Sequence, residues 1–393
     1  MPTPGRKPRV FVAMSGGVDS SVAAWLLRRD GYDVTGITFK LFDRVGPQEG
    51  DAERLCCSLE SVYRARRVCD RLGLPHYILD LRSAFEEYVI GRFVAEYAAG
   101  RTPNPCVLCN RHVKFGVFLK KALSLGAEYV ATGHHARICR STTAGGVQDH
   151  APQRQGCQGE GPVFRLLPGR DAAKDQSYAL CHLNQTTMAH ILLPVGGLAK
   201  DEVRQLAREA ELPTAETPES QDICFVQAES HADFLARHGL GARPGPIVTR
   251  EGRVVGRHRG LHAYTVGQRR GLNLSPDGPW FVAEKRIADN TLVVVCAEEL
   301  RQRDVVLEDV NWCDGPEGAW PESWGTDLQV MLRYRSRRVD CAVVGGNAAA
   351  RSLELRLAEP AVVAPGQYGV IYDGRDGHVV AGGTIRGEDV TEV

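Results

Sequence analysis

Residues 10–20 read Val10-Phe11-Val12-Ala13-Met14-Ser15-Gly16-Gly17-Val18-Asp19-Ser20, an apolar run that stops at a serine and two glycines. Val10 to Met14 has the composition of a buried strand. From Ser21 to Arg29 the apolar residues Val22, Ala23, Leu26 and Leu27 recur at helical spacing. A strand that turns at once into a helix leaves backbone N–H groups bare at the helix N-terminus, where the dipole also favours negative charge. Glycine lets such a turn close around an oxyanion, because it has no Cβ to clash. No Gly-Lys dipeptide occurs anywhere in the chain, so this is not a Walker A loop, whose lysine reaches the outer phosphates. It suits the pyrophosphate released when ATP adenylates a substrate.

Outward from this loop, strand and helix patterns alternate over the first 135 residues. A strand is expected at 33–39, a helix at 59–72 stopped by Gly73, and a strand at 76–80. Helices at 83–99 and 111–125 and a strand at 129–132 follow. Such alternation predicts a doubly wound parallel sheet with its ligand beyond the carboxyl ends of the strands, where Ser15, Phe39 and Gly133 fall. Residues 139–162 are rich in Gly, Gln, Ser, Thr and Pro and predict a mobile surface insertion. Helical pattern returns at 184–192 and 200–210. Beyond residue 226 short strands and turns take over, with hairpins expected around Glu251-Gly252 and Asp289-Asn290, and a closed all-β unit after residue 301. The expected division is 1–225, 226–300 and 301–393.

The chain has 393 residues, long enough for two or three domains, and 48 basic against 48 acidic residues. It has no run of eighteen apolar residues, and Met1 to Arg9 is too short and charged for a signal peptide. A cytoplasmic enzyme with no membrane partner is expected. Its twelve cysteines are then free, catalytic or metal-binding. Charge is neutral overall but uneven. Arginines at 250, 253, 257, 259, 269 and 270 face one acid, Glu251, and Arg333, Arg335, Arg337 and Arg338 form a second cluster. Such stripes suit a phosphate backbone, or else decorate a solvated sheet edge.

Cys106-Val107-Leu108-Cys109 lies in a Pro-rich stretch, Thr102-Pro103-Asn104-Pro105, and Cys224 is far off between Ile223 and Phe225. Taken alone, Cys224 reads first as a small core residue. The Cys-x-x-Cys could be half of a zinc site, but no second Cys-x-x-Cys accompanies it, which argues against a four-ligand structural site.

The loop at 15–20 resembles those of the PP-loop ATP pyrophosphatases. Six further stretches resemble the tRNA-specific 2-thiouridylases: 102–110, 131–135 (Ala-Thr-Gly-His-His), 174–178 (Lys-Asp-Gln-Ser-Tyr), 220–225 (Ser-Gln-Asp-Ile-Cys-Phe), 264–272 and 333–335. The resemblance implies a PP-loop catalytic domain, a small mixed domain and a C-terminal β-barrel. It implies ATP-dependent 2-thiolation of the wobble uridine of tRNA, with sulfur from an upstream donor protein. Cys224 then carries the persulfide and Cys109 is the nucleophile. Ala13 to Ser20 (Ala13, Met14, Ser15, Gly16, Gly17, Val18, Asp19, Ser20), Phe39 and Gly133 hold ATP, with Mg²⁺ expected. Asn104, Pro105 and Cys106 meet the target base. Lys174, Asp175, Gln176, Arg333 and Tyr334 contact tRNA, and His134 and Gln367 orient substrate. Many relatives carry Asp at position 106, so this thiol raises a 4Fe-4S cluster on Cys106, Cys109 and Cys224 as an alternative. Rival readings are an ammonia-using PP-loop synthetase, which needs no cysteine pair, and a non-catalytic RNA-binding protein.

Overall fold

The computed structural model describes residues 6–43, 59–141, 147–149, 163–218, 223–226, 230–274, 278–315 and 324–387. Four parallel strands come first: β1 (Arg9–Ala13), β2 (Asp33–Lys40), β3 (His76–Asp80) and β4 (Tyr129–Ala131). Because β1 is central, its side chains alternate between two cores. Val10 and Val12 face the helices α1 (Val18–Arg29) and α2 (Leu59–Leu72), while Phe11 faces the other side. That other side is covered by two helices. One is α3, running over 82–98, and the other is α4, over 105–124; each contains a stretch of wider π turns.

Three expectations change here. The 139–162 insertion is not all irregular: β5 (Ala136–Ser141) pairs antiparallel with β6 (Val147–Asp149) and with β7 (Val163–Pro168). The strand pairing starts at Ala136, ahead of the Gly- and Gln-rich part; Cys157 lies outside the described residues. The helix expected over 184–192 is a single turn, Gln185–Met188, followed by β8 (Ile191–Leu192). That strand completes the parallel sheet in the order β3-β2-β1-β4-β8. Finally, α4 begins at Pro105 rather than Arg111. Proline is favoured at the first helical position, and Asn104 caps it.

Helix α5 (Lys200–Glu209) then packs on α1. Beyond it, β9 (Gly245–Thr249), β10 (Val254–His258), β11 (Phe281–Arg286) and β12 (Thr291–Val295) form a small sheet in the order β10-β9-β12-β11. Both expected hairpin turns are present, with Gly252 and Asn290 at positive φ. Six strands close the C-terminal barrel: β13 (Arg301–Trp312), β14 (Leu328–Met331), β15 (Val339–Asn347), β16 (Ser352–Val362), β17 (Tyr368–Asp373) and β18 (Val379–Ile385). The fold is therefore a doubly wound α/β domain, a small mixed sheet and a β-barrel. No helix of the described residues is long and apolar enough to cross a membrane.

The barrel is mortised into the first domain. Tyr178 Oη donates to the Tyr368 carbonyl at 2.9 Å, and Ser177 Oγ lies 3.2 Å from Tyr372 Oη. Arg165 on β7 reaches Asp376 at 3.0 Å and Asp314 at 3.5 Å. His378 is held between the same two carboxylates.

Candidate active site

The loop after β1 is built from backbone. Met14 N donates to Ile37 O at 2.8 Å and Thr38 Oγ1 donates to Met14 O at 3.0 Å, fixing where β1 ends. Gly16 has φ +73°, and a Cβ there would stand 2.4 Å from the Ser61 carbonyl oxygen on α2, so no other residue fits. Arg64, one turn along α2, donates from Nε to the Gly16 carbonyl at 3.1 Å. Gly17 is the N-cap of α1 in extended conformation and supplies no side-chain cap. Inside the turn, Ser20 Oγ and Ser21 Oγ donate to Gly17 O at 3.1 and 2.8 Å, and Ser15 Oγ lies 3.2 Å from Ser20 Oγ. The result is a tight cradle opening on a helix N-terminus, which suits an anion.

Gly133 closes one wall. A Cβ there would meet the Asp19 carbonyl carbon and Ser20 N at 2.6 Å, so the chain after β4 can touch α1 only because it is glycine. Two residues on, His135 Nε2 lies 3.1 Å from Asp19 Oδ1. Lys200, the first residue of α5, donates from Nζ to both Asp19 oxygens at 2.6 and 2.7 Å. The lysine side chain is 9% exposed and the aspartate 30%. Burial opposes the charge on Asp19, but the bond to His135 and the Lys200 ammonium outweigh it and lower its pKa. His135 and Lys200 were not among the sequence-derived site residues.

The cysteine segment starts a helix. Asn104 Oδ1 accepts from Cys106 N at 3.1 Å and Val107 N at 3.4 Å. Cys106 is exposed, and Cys109, one turn on, is 9% exposed within the core. The barrel sets the approach to this helix. Thr102 N donates to Pro365 O at 2.9 Å, and Gln367 Nε2 donates to Thr102 O at 2.7 Å. Cys224 sits half-buried in the described piece 223–226, whose Phe225 packs edge-on against Phe85 and Phe93 of α3. Helix α4 leans on the same α3. Both thiol segments thus share one scaffold; Ser220 to Asp222 lie outside the described residues. Among the described residues, Asp373, Asp376 and His378 place three possible ligand atoms within 4.8 Å of one another, and Cys106, Cys109 and Cys224 form no such group.

Other expected residues are turned inward. Phe39 is buried, its ring at a steep 64° to that of Phe118 and 4.8 Å from it, so it offers its strand backbone rather than an aromatic face to a ligand. His134 is buried, with Nδ1 2.6 Å from Thr132 Oγ1, and burial holds it neutral by pushing its pKa well down. Asp175 accepts from Gly169 N, Ser177 N and Ser177 Oγ at 2.8–3.0 Å, and Gln176 Oε1 accepts from His135 N at 2.8 Å. These two side chains order the loop that carries His135. Lys174 is half-buried beside them. Arg333 is exposed, Arg335 stacks over Tyr334 at 5.2 Å, and Tyr334 Oη reaches Asp175 O at 3.3 Å. All six arginines between 250 and 270 are exposed.

Residues 8–228 match the family model described as tRNA methyl transferase HUP domain. Residues 232–296 match the tRNA methyl transferase PRC-barrel domain, and 302–385 the aminomethyltransferase beta-barrel domain. Over 378 residues the chain is 43% identical to the tRNA-specific 2-thiouridylase MnmA of Roseiflexus sp. (strain RS-1), covering 95% of this chain and 98% of that one. It is 41% identical over 380 residues to tRNA-specific 2-thiouridylase MnmA 1 of Syntrophus aciditrophicus (strain SB), covering 96% and 93%. The Moorella thermoacetica MnmA is 42% identical over 385 residues, covering 98% and 100%.

Proposed function

This chain belongs to the tRNA-specific 2-thiouridylase family and thiolates tRNA at the expense of ATP, and on that premise we propose how its residues divide the reaction. The target is the wobble uridine. It leaves the anticodon stack because its C2 oxygen is out of reach within it. ATP lies with its phosphates in the cradle 15–20, against Gly133. The uridine O2 attacks the α-phosphorus, pyrophosphate departs, and the N–H groups at the start of α1 stabilise the charge that develops. Asp19 is a single carboxylate beside hydroxyls, a set that fits Mg²⁺ carried on nucleotide phosphates. When bound, that ion would neutralise phosphate charge.

Sulfur arrives from a donor protein as a persulfide on Cys224. Cys109 attacks its inner sulfur, hydrosulfide leaves, and the hydrosulfide displaces AMP from C2. The Cys109–Cys224 disulfide left behind is reset by an external thiol reductant. This route needs two thiols. A 4Fe-4S cluster would draw a third ligand from the exposed Cys106, which the two-thiol route does not use. The division of labour follows the chain: catalysis in 1–225, a central domain in 226–300, and tRNA contact through the arginine stripes of 250–270 and the barrel's 333–338.

The observation that carries this reading is an anion cradle closed by Gly133 in the same domain as two thiol segments resting on one helix. Incubation with tRNA, ATP and a persulfide donor tests it. The expected products are 2-thiouridine, AMP and pyrophosphate. Pyrophosphate release without any thiolated nucleoside would contradict it.

A further inference from the structure

The two π stretches of the first domain line one cavity. Glu86–Ile90 of α3 contributes Tyr88 to its wall, and Cys109–Phe118 of α4 contributes Arg111 and His112. Such wide turns are rare and recur at functional sites. The barrel closes the far side with Asn311 of β13 and with Arg351, in the turn between β15 and β16. The cavity holds about 400 Å³, within the ~300–1,000 Å³ usual for small-molecule sites. It shares no residue with the cradle of 15–20 or with Gly133, and no step of the thiolation uses it.

Its lining is chemically lopsided. Arg111, Lys120 and Arg351 line it, and no carboxylate does. The two arginines share one counter-charge behind them: Arg111 donates to both oxygens of Asp309, and Arg351 Nη1 lies 3.2 Å from Asp309 Oδ1. Three cations against one carboxylate leave two positive charges, which matches a phosphate monoester of about −2 at neutral pH. The histidines of the wall feel the same field. Burial first, and then the Arg111 charge, push the His112 pKa down to about 4 and the His182 pKa to about 3, so both stay neutral. Tyr88 and His112 stack with ring centroids 5.1 Å apart and planes 18° from parallel, giving the cavity one flat aromatic wall.

We propose that this cavity is a second binding site, taking a small phosphorylated molecule with a flat ring, of the nucleoside monophosphate class. The phosphate lies between Lys120 and the Arg111–Arg351 pair, and the ring rests on the Tyr88–His112 wall. Arg111 follows Cys109 by two positions, so the ligand's anchor and the nucleophile belong to one π stretch.

Equilibrium dialysis of the full chain against labelled AMP tests this, with a non-hydrolysable ATP analogue present to fill the cradle. A single further AMP should bind. Lys120 is exposed, so substitutions there probe the site rather than the fold. Lys120→Glu should weaken AMP binding about tenfold or more, and Lys120→Arg should stay within about threefold of wild type. Inorganic phosphate, which has no ring for the aromatic wall, should bind at least about tenfold more weakly than AMP. Absence of AMP binding beside the analogue, undiminished binding by Lys120→Glu, or equal affinity for inorganic phosphate would each overturn the proposal. So would a Lys120→Glu variant that loses tRNA affinity about tenfold while wild type binds no further AMP, because the cavity would then take a backbone phosphate of tRNA.

Discussion

Two helices of the first domain begin at the active site, and they begin differently. Helix α1 starts at Gly17, which offers no side-chain cap, while α4 starts at Asn104, whose side chain takes the N–H groups of Cys106 and Val107. The first end keeps its donors for a ligand; the second spends them on its own chain. A glycine cap leaves a helix less stable than an asparagine cap by roughly a few tenths of a kcal/mol, and here that deficit sits where an anion must bind. The capped end needs rigidity instead, because it carries two cysteines at fixed spacing and is approached through a segment that the barrel clamps at Thr102. One end is built to receive and the other to hold a geometry.

The sharpest break of this contrast falls on the thiols. Cys109→Ser and Cys224→Ser should each reduce 2-thiouridine formation at least about a thousandfold, while tRNA affinity stays within about twofold. Quantifying nucleosides from digested tRNA checks this, and turnover in either variant contradicts the two-thiol route. Next comes a swap of cap character. A Cβ at Gly17 meets only ordinary contacts, with Ser15 Oγ at 3.5 Å, so Gly17→Asn should fold. It should stabilise α1 by a few tenths of a kcal/mol and still weaken ATP binding about tenfold, because the new side chain occupies the donors. A melting curve and a nucleotide titration on one sample decide it.

The reverse change is smaller. Asn104→Ala should cost about 1 kcal/mol of stability, and Asn104→Asp should recover most of it. Full activity in the destabilised variant would mean that Asn104 only caps. Arg333→Ala should weaken tRNA binding and reduce its salt slope by about one. The smallest effect concerns the junction of barrel and first domain. Burial opposes a proton on His378, but Asp314 and Asp376 overcome it and raise its pKa above 6.5. Its contribution is therefore fully present below pH 6.5 and is lost as pH rises through the raised value. Melting temperature should fall between pH 6 and pH 8.5 in wild type and less so in His378→Asn.

How much of this was legible depends on how local the signal is. Strand, glycine pair and helix lie within twenty residues, so the cradle and its neighbours 33–40, 59–72 and 76–80 could be read directly. The cap at Asn104 has a local signal too, since Asn followed by Pro marks a helix start, although the Pro-rich stretch around it hides that signal. Lys200 could not be placed from spacing: it joins Asp19 across 181 positions, and only the sheet order brings α5 against α1. For Asp175 and Gln176 tRNA contact was implied by the resemblance alone; in the structure both side chains accept hydrogen bonds from the chain's own backbone and shape the His135 loop. Strand β8 was missed because two residues carry no period.

The central claim is that the cradle and the thiols act in sequence on one uridine, and the Cys224→Ser variant exposes the interval between them. With tRNA and ATP labelled in the α-phosphate, it should release pyrophosphate and accumulate AMP bound to tRNA, with no 2-thiouridine formed. If that variant forms no adenylated tRNA while the wild-type protein thiolates normally, adenylation does not precede sulfur transfer in the way proposed.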